Sequence, residues 1–101
     1  MYQHLTEERK EFVLSKQVLR SGTSIGANVE EAVGGQTGRD FVARMTIAYK
    51  EARETHYWLR LLRDAGYLGE TESVSIMTAC EELLKLTASI IKTMKHGKQN
   101  S

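Results

Sequence analysis

Apolar residues recur along this chain at alternating spacings of four and three, the period of a helix face, and no strand-length alternation of apolar and polar residues occurs. Three segments carry the pattern, at about residues 6–33, 39–65 and 71–95. In the first, Leu14, Val18, Ser21, Ile25, Asn28 and Ala32 form an unbroken heptad seam. Thr6 is its expected N-cap, with Glu7 and Glu8 in a favourable first turn, and Gly34 and Gly35 stop it. In the second, the seam is Phe41, Met45, Ala48, Ala52, Thr55, Leu59 and Leu62. Thr37 with Asp40 three residues on resembles a capping box, and Ala65-Gly66-Tyr67-Leu68 reads as a glycine C-cap. The third seam is Ile76, Cys80, Leu83, Thr87, Ile90 and Met94, followed by a polar tail from Gly97 to Ser101 that is expected to fray. Helices of this size are roughly 35–40 Å long. Joined by short connections they pack antiparallel, so the expected fold is all-α, a single up-down helical bundle over residues 1–101 with shallow crossing angles.

Composition narrows the function classes. The chain has 101 residues, no proline, one cysteine, and 14 Lys+Arg against 13 Asp+Glu. A domain this small buries only about 60–65% of its unfolded surface, so its core is thin. Near-neutral charge argues against holding nucleic acid by bulk positive charge. A single cysteine excludes an internal disulfide framework and fits a reducing compartment, and the expected location is the cytoplasm. No apolar run approaches the ~20 residues of a membrane span.

Several chemistries lack their residues. A second row on the middle helix, Ile47, Glu51, Glu54, Trp58, Leu61 and Ala65, contains paired carboxylates. Carboxylate-bridged metal bundles need Glu-x-x-His, but Arg53, Thr93 and Met1 stand three before His56, His96 and His4. Glu51 and Glu54 are therefore expected to pair with cations, such as Lys50 with Glu54. Helical RNases commonly set arginine and histidine about five apart, whereas Arg53 and His56 are three apart. Cys80 lies in an apolar seam, the place of a small core residue rather than a nucleophile. Gly34, Gly35 and Gly38 have no lysine after them and no strand before them, so no phosphate loop is indicated. No catalytic residue, metal ligand or cofactor is expected.

Three features remain. Gly22 and Gly26, four apart inside a helix, each cost roughly 1 kcal/mol against alanine. With Ser21 and Asn28 on the seam they suggest close helix packing and a specified register, or local hydrogen bonding. Ile47, Trp58 and Leu61 form either a subunit contact or a wide core stripe. Arg39, Lys50, Arg53 and Arg60 lie opposite the main seam with Tyr49 and Tyr57 interleaved. That face is either an ordinary solvated surface or the charge and rings that a single-stranded nucleic acid needs. Lys92, Lys95 and Lys98 add charge near the C-terminus.

The run from Leu14 to Ala32, LSKQVLRSGTSIGANVEEA, resembles the second helix of the four-helix-bundle 23S rRNA intervening-sequence proteins. Asp40-Phe41, the stretch from Ile47 to Leu59, and Gly66-Tyr67-Leu68 resemble that family's third helix and the turn after it. The resemblance implies a small bacterial bundle, often a homopentamer, without established catalytic residues. A similar bundle, the accessory variability protein of diversity-generating retroelements, binds nucleic acid and a reverse transcriptase. Family members usually carry one more helix before the segment matching Thr6 to Val33, where only Met1 to Leu5 stand here. The open side of a three-helix bundle is then expected to be covered by another chain. Taken together, the sequence suggests a non-enzymatic homo-oligomeric bundle that binds RNA or DNA. A purely structural or protein-interaction module is the alternative.

Overall fold

A computed structural model describes residues 2–35 and 37–100, with side chains from 7 to 35 and from 37 to 96. Three helices follow one another: α1 (Tyr2–Gly34), α2 (Gly38–Asp64) and α3 (Glu70–Asn100). They form an all-helical, up-down arrangement. α1 begins earlier than expected because residues 2–5 contain no glycine or proline to stop it, so Thr6 lies inside the helix rather than at its cap. Its side chain lies outside the described ones. α3 likewise runs on through Gly97 to Asn100, where a tail outside the helix was expected.

The helix ends follow local chemistry. Thr37 is the N-cap of α2, its hydroxyl accepting from the Asp40 amide at 3.1 Å. At the other end Gly66 takes φ +82°. The Tyr67 amide then donates to Leu62 O at 2.9 Å and the Gly66 amide to Arg63 O at 3.0 Å, which is a Schellman closure. Tyr67 also packs back against the cluster that contains Leu62.

α2 lies between the other two helices, and among the described residues α1 and α3 make no close backbone contact with each other. The chain is an elongated layer of 63 × 22 × 16 Å. Its core is the α2 seam: Met45, Ala48, Ala52, Thr55, Leu59 and Leu62 are all buried. Towards one end Leu59 and Leu62 meet Met77 and Cys80, with Leu14 and Val18 packed against them. Towards the other, Ile25 meets Ala48 and Ala52, flanked by Val29, Leu83 and Leu84. Between the clusters the Thr55 hydroxyl donates to Ser21 Oγ at 2.7 Å, and Ser21 donates to Gln17 O at 2.9 Å. Ser21 thus does both things its seam position suggested: it bonds locally and it locks α1 to α2. Asn28 donates to Ser24 O at 2.9 Å and receives Arg44 at 3.5 Å.

Two expectations need correction. On α3 Ser73, Met77, Cys80 and Thr87 are buried and Leu83, Leu84, Ile90 and Ile91 are half-buried, so the expected seam holds at Cys80, Leu83, Thr87 and Ile90 and fails at its ends, where Ile76 and Met94 are exposed. α3 carries two apolar rows that share Cys80 and Thr87. Both rows meet α2: the shared Cys80 thiol reaches Ala52 O at 3.4 Å, and Leu83 and Leu84 both pack against the cluster of Ile25, Ala48 and Ala52. Gly22 and Gly26, expected at a close helix approach, have no atom within 4 Å of where a Cβ would stand. No described residue of the chain requires them to be small.

Ala48 and Ala52 are fully buried, so larger side chains there overpack the layer. Ala52→Leu should lower the unfolding free energy by about 1–3 kcal/mol, measured by urea denaturation monitored through helix circular dichroism.

A second prediction concerns Tyr67, whose phenol donates to the Glu7 carboxylate at 2.6 Å and ties α1 to the α2–α3 turn. That hydrogen bond, with partial burial and the charges of Glu7 and Glu11, raises its pKa from 10.0 to about 12. The protonated form is favoured in the folded state. Its stabilisation is fully present below pH 10 and is lost as pH rises to 12. Spectrophotometric titration should show one late tyrosine, absent in Tyr67→Phe.

Candidate nucleic-acid interface

Lys50, Arg53, Tyr57 and Arg60 follow at spacings of three, four and three, so they share one side of α2. That side adjoins α3. Lys50, Arg53, Glu54, His56, Tyr57, Arg60 and Leu84 line an open cleft of about 500 Å³ there. The Arg60 guanidinium lies 5.8 Å from the centre of the Tyr57 ring, and Tyr57 meets Trp58 edge-on at 5.1 Å. Tyr57 remains exposed. Arg39, in the first turn of α2, is exposed but lines none of the clefts described here.

A further cleft of about 470 Å³ lies along the same pair of helices, lined by Thr46, Tyr49, Ala88, Ile91, Lys92, Lys95 and His96. Sequence reasoning noted Lys92 and Lys95 only as tail charge. Seven residues from Tyr49 to His56 give about 10 Å of rise along α2, so the two clefts, each with basic and aromatic lining, follow one another along the α2–α3 side. The signal that could have found it was the antiparallel register, which sets Tyr49 opposite Ile91 and Lys92.

The other flank of α2 faces α1 and is differently built. Arg20 of α1 reaches across to Glu54, and its second nitrogen stands 3.7 Å from Glu51 Oε2. That separation suits an ion pair but not a hydrogen bond, and Glu51 Oε2 has no hydrogen-bond partner. Gln17 accepts from Arg20 at 3.0 Å, and the Trp58 indole donates to Glu54 at 3.1 Å. The cation holding both carboxylates therefore comes from the neighbouring helix rather than from Lys50 on their own. This network fixes how α1 sits on α2. Trp58 and Leu61 are half-buried along it, while Ile47 is more exposed.

His56 Nε2 lies 3.1 Å from Glu81 on α3, while Glu54 is held by Arg20 and Trp58. Among the described residues no group of three His, Cys, Asp or Glu side chains could hold a metal ion, and no helix is long and apolar enough to cross a membrane.

Comparison with known proteins agrees with this architecture. The model of the 23S rRNA-intervening sequence protein family matches residues 1–89. The chain belongs to that family. A family member of unknown function from Bacteroides thetaiotaomicron, described as belonging to the S23 ribosomal protein family, has a crystal structure at 1.70 Å resolution. It is 52% identical, with a TM-score of 0.79, over 90% of this chain and 84% of that one. No curated protein matches.

In this intervening-sequence protein Cys80 is a core group. Burial pushes its thiol up from the ordinary value, and the Glu81 charge adds to the effect. At neutral pH the folded chain should react with a thiol reagent more slowly than the chain in denaturant, as read by release of a chromogenic thiol.

Proposed function

We propose that the protein is a non-enzymatic, homo-oligomeric bundle that binds single-stranded RNA or DNA along the α2–α3 strip. The observation that carries this reading is the convergence of Lys50, Arg53 and Arg60 with the exposed Tyr57 ring on one open cleft. Phosphates need cations at intervals, bases need flat apolar faces, and unpaired strands present both to a groove. Tyr49, Lys92 and Lys95 extend the same chemistry. An oligomer would repeat the strip and strengthen a modest site by avidity. The family's name, with its reference to 23S rRNA, is compatible with an RNA setting.

A structural or protein-interaction role is favoured by a separate observation. Phe12, Leu19, Val33 and Leu86 are large apolar side chains left exposed away from the strip.

Fluorescence anisotropy with labelled single-stranded oligonucleotides over a salt series separates the two readings. Nucleic-acid binding predicts salt-dependent affinity. Replacing Lys50, Arg53 and Arg60 together by alanine should lower the salt slope by about 2, at roughly 0.7 for each phosphate contact. Tyr57→Ala should weaken binding by about 1–3 kcal/mol with little change in slope. An unchanged affinity in the triple variant would remove the strip as the binding surface.

A further inference from the structure

The two clefts along α2 and α3 hold their cations differently. In the first, Lys50, Arg53 and Arg60 are spread over about 15 Å of rise along α2. Glu54 stands among them, and Glu81 closes on His56 beside them. The second cleft takes its charge from α3 alone. Lys92, Lys95 and His96 fall within about 6 Å of rise and, at spacings of three and four, share one side of that helix. No described carboxylate lines this cleft. Glu82 is the last acidic residue before it in the sequence, and none follows. Among the described residues Lys92, Lys95 and His96 form no ion pair.

We propose that the second cleft is a strand-end pocket: it takes the terminal nucleotide of a single strand, with a phosphate monoester on Lys92, Lys95 and His96 and the sugar or base against Tyr49. The proposal rests on the nucleic-acid reading above and names the end group of the strand that is bound.

Charge is the first argument. A phosphodiester carries one negative charge, so a row of separated cations matches a run of them. A phosphate monoester carries about 1.5 to 2 negative charges at pH 7 and presents three acceptor oxygens. It calls for several donors converging on one point. Two ammonium groups and an imidazole N–H on one turn of α3 supply them, with no described carboxylate lining the same cleft to compete.

Shape and position agree. The cleft measures about 470 Å³, within the roughly 300–1,000 Å³ of small-ligand pockets, which suits one nucleotide better than a run of them. Ala88 and the half-buried Tyr49 and Ile91 give it an uncharged wall for a flat or apolar group. Thr46, Arg53 and Arg60 repeat every seven residues and so share one side of α2. Thr46 lines the second cleft, and Arg53 and Arg60 line the first. A strand laid along Arg60 and Arg53 therefore meets the lysine cluster about 10 Å further on.

Fluorescence anisotropy with one oligonucleotide sequence tests the proposal. The strand is compared with a 5′-phosphate, with a 3′-phosphate, with hydroxyls at both ends, and as a hydroxyl-ended strand lengthened by two nucleotides to match the charge. At least one phosphorylated form should bind about fivefold or more tightly than both hydroxyl-ended forms. Replacing Lys92 and Lys95 together by alanine should bring that ratio to about one. Replacing Lys50, Arg53 and Arg60 should weaken every form and keep the ratio. Circular dichroism checks that both variants retain their helix content. Equal binding of the phosphorylated and charge-matched strands would overturn the strand-end pocket and leave nucleic-acid binding standing. A preference that survives the Lys92 and Lys95 replacements would overturn its assignment to this cleft. A nucleoside 5′-monophosphate that competes as well as the phosphorylated strand would make the site one for free nucleotides, which also overturns it. Failure of every form to bind would overturn both readings.

Discussion

One helix has to supply both interhelical interfaces of this protein. α1 and α3 each pack on α2 and, among the described residues, make no close backbone contact with each other, so the fold depends on the seam of α2. That seam works because its centre is small. Ala48 and Ala52 let both neighbours approach until the Cys80 thiol meets a backbone carbonyl of α2. At the ends of the seam Met45, Leu59 and Leu62 fill the wider space. Dispersion contacts and apolar burial there replace the all-round core that a larger domain would have.

The same constraint sorts the remaining chemistry onto separate faces. α1 is held in rotation by the Ser21–Thr55 hydrogen bond and by Arg20 bridging to two α2 carboxylates. α3 is held by His56–Glu81 and by Arg63 donating to Met77 Sδ. With both neighbours fixed on its flanks, α2 turns its lysine and arginine row toward the α3 edge. The exposed apolar rows of α1 and α3 are left facing away from α2. Basic and aromatic groups therefore gather on one side, and exposed apolar groups on another.

Much of this was legible from spacing. The α2 seam could be read residue by residue, because every one of its large or small apolar positions has only one neighbour-facing role. Thr37 and Gly66 announced the ends of α2 through chemistry that is local in the chain: a hydroxyl within reach of an amide three residues on, and a backbone conformation that glycine tolerates. The basic row of α2 was visible for the same reason. Lys92 and Lys95 were not tied to it, since that connection depends on the register between two helices. The partner of Glu51 and Glu54 was missed because a residue on α1, far away in sequence, lies closer than the lysine beside them.

The sequence by itself determined three long helices, where α2 begins and ends, and the face of α2 that is buried. Those properties rest on periodicity and on hydrogen bonds spanning a few residues, which any reader of the chain can count. Tertiary structure alone decided the phase of α3. Its two apolar rows share Cys80 and Thr87 and are equally periodic. Packing against α2 buries Ser73 and Met77 of one row and leaves Ile76 and Met94 of the other exposed. Tertiary structure also decided that Gly22 and Gly26 face open space, because the emptiness beside a glycine is a property of its neighbours and not of the residue.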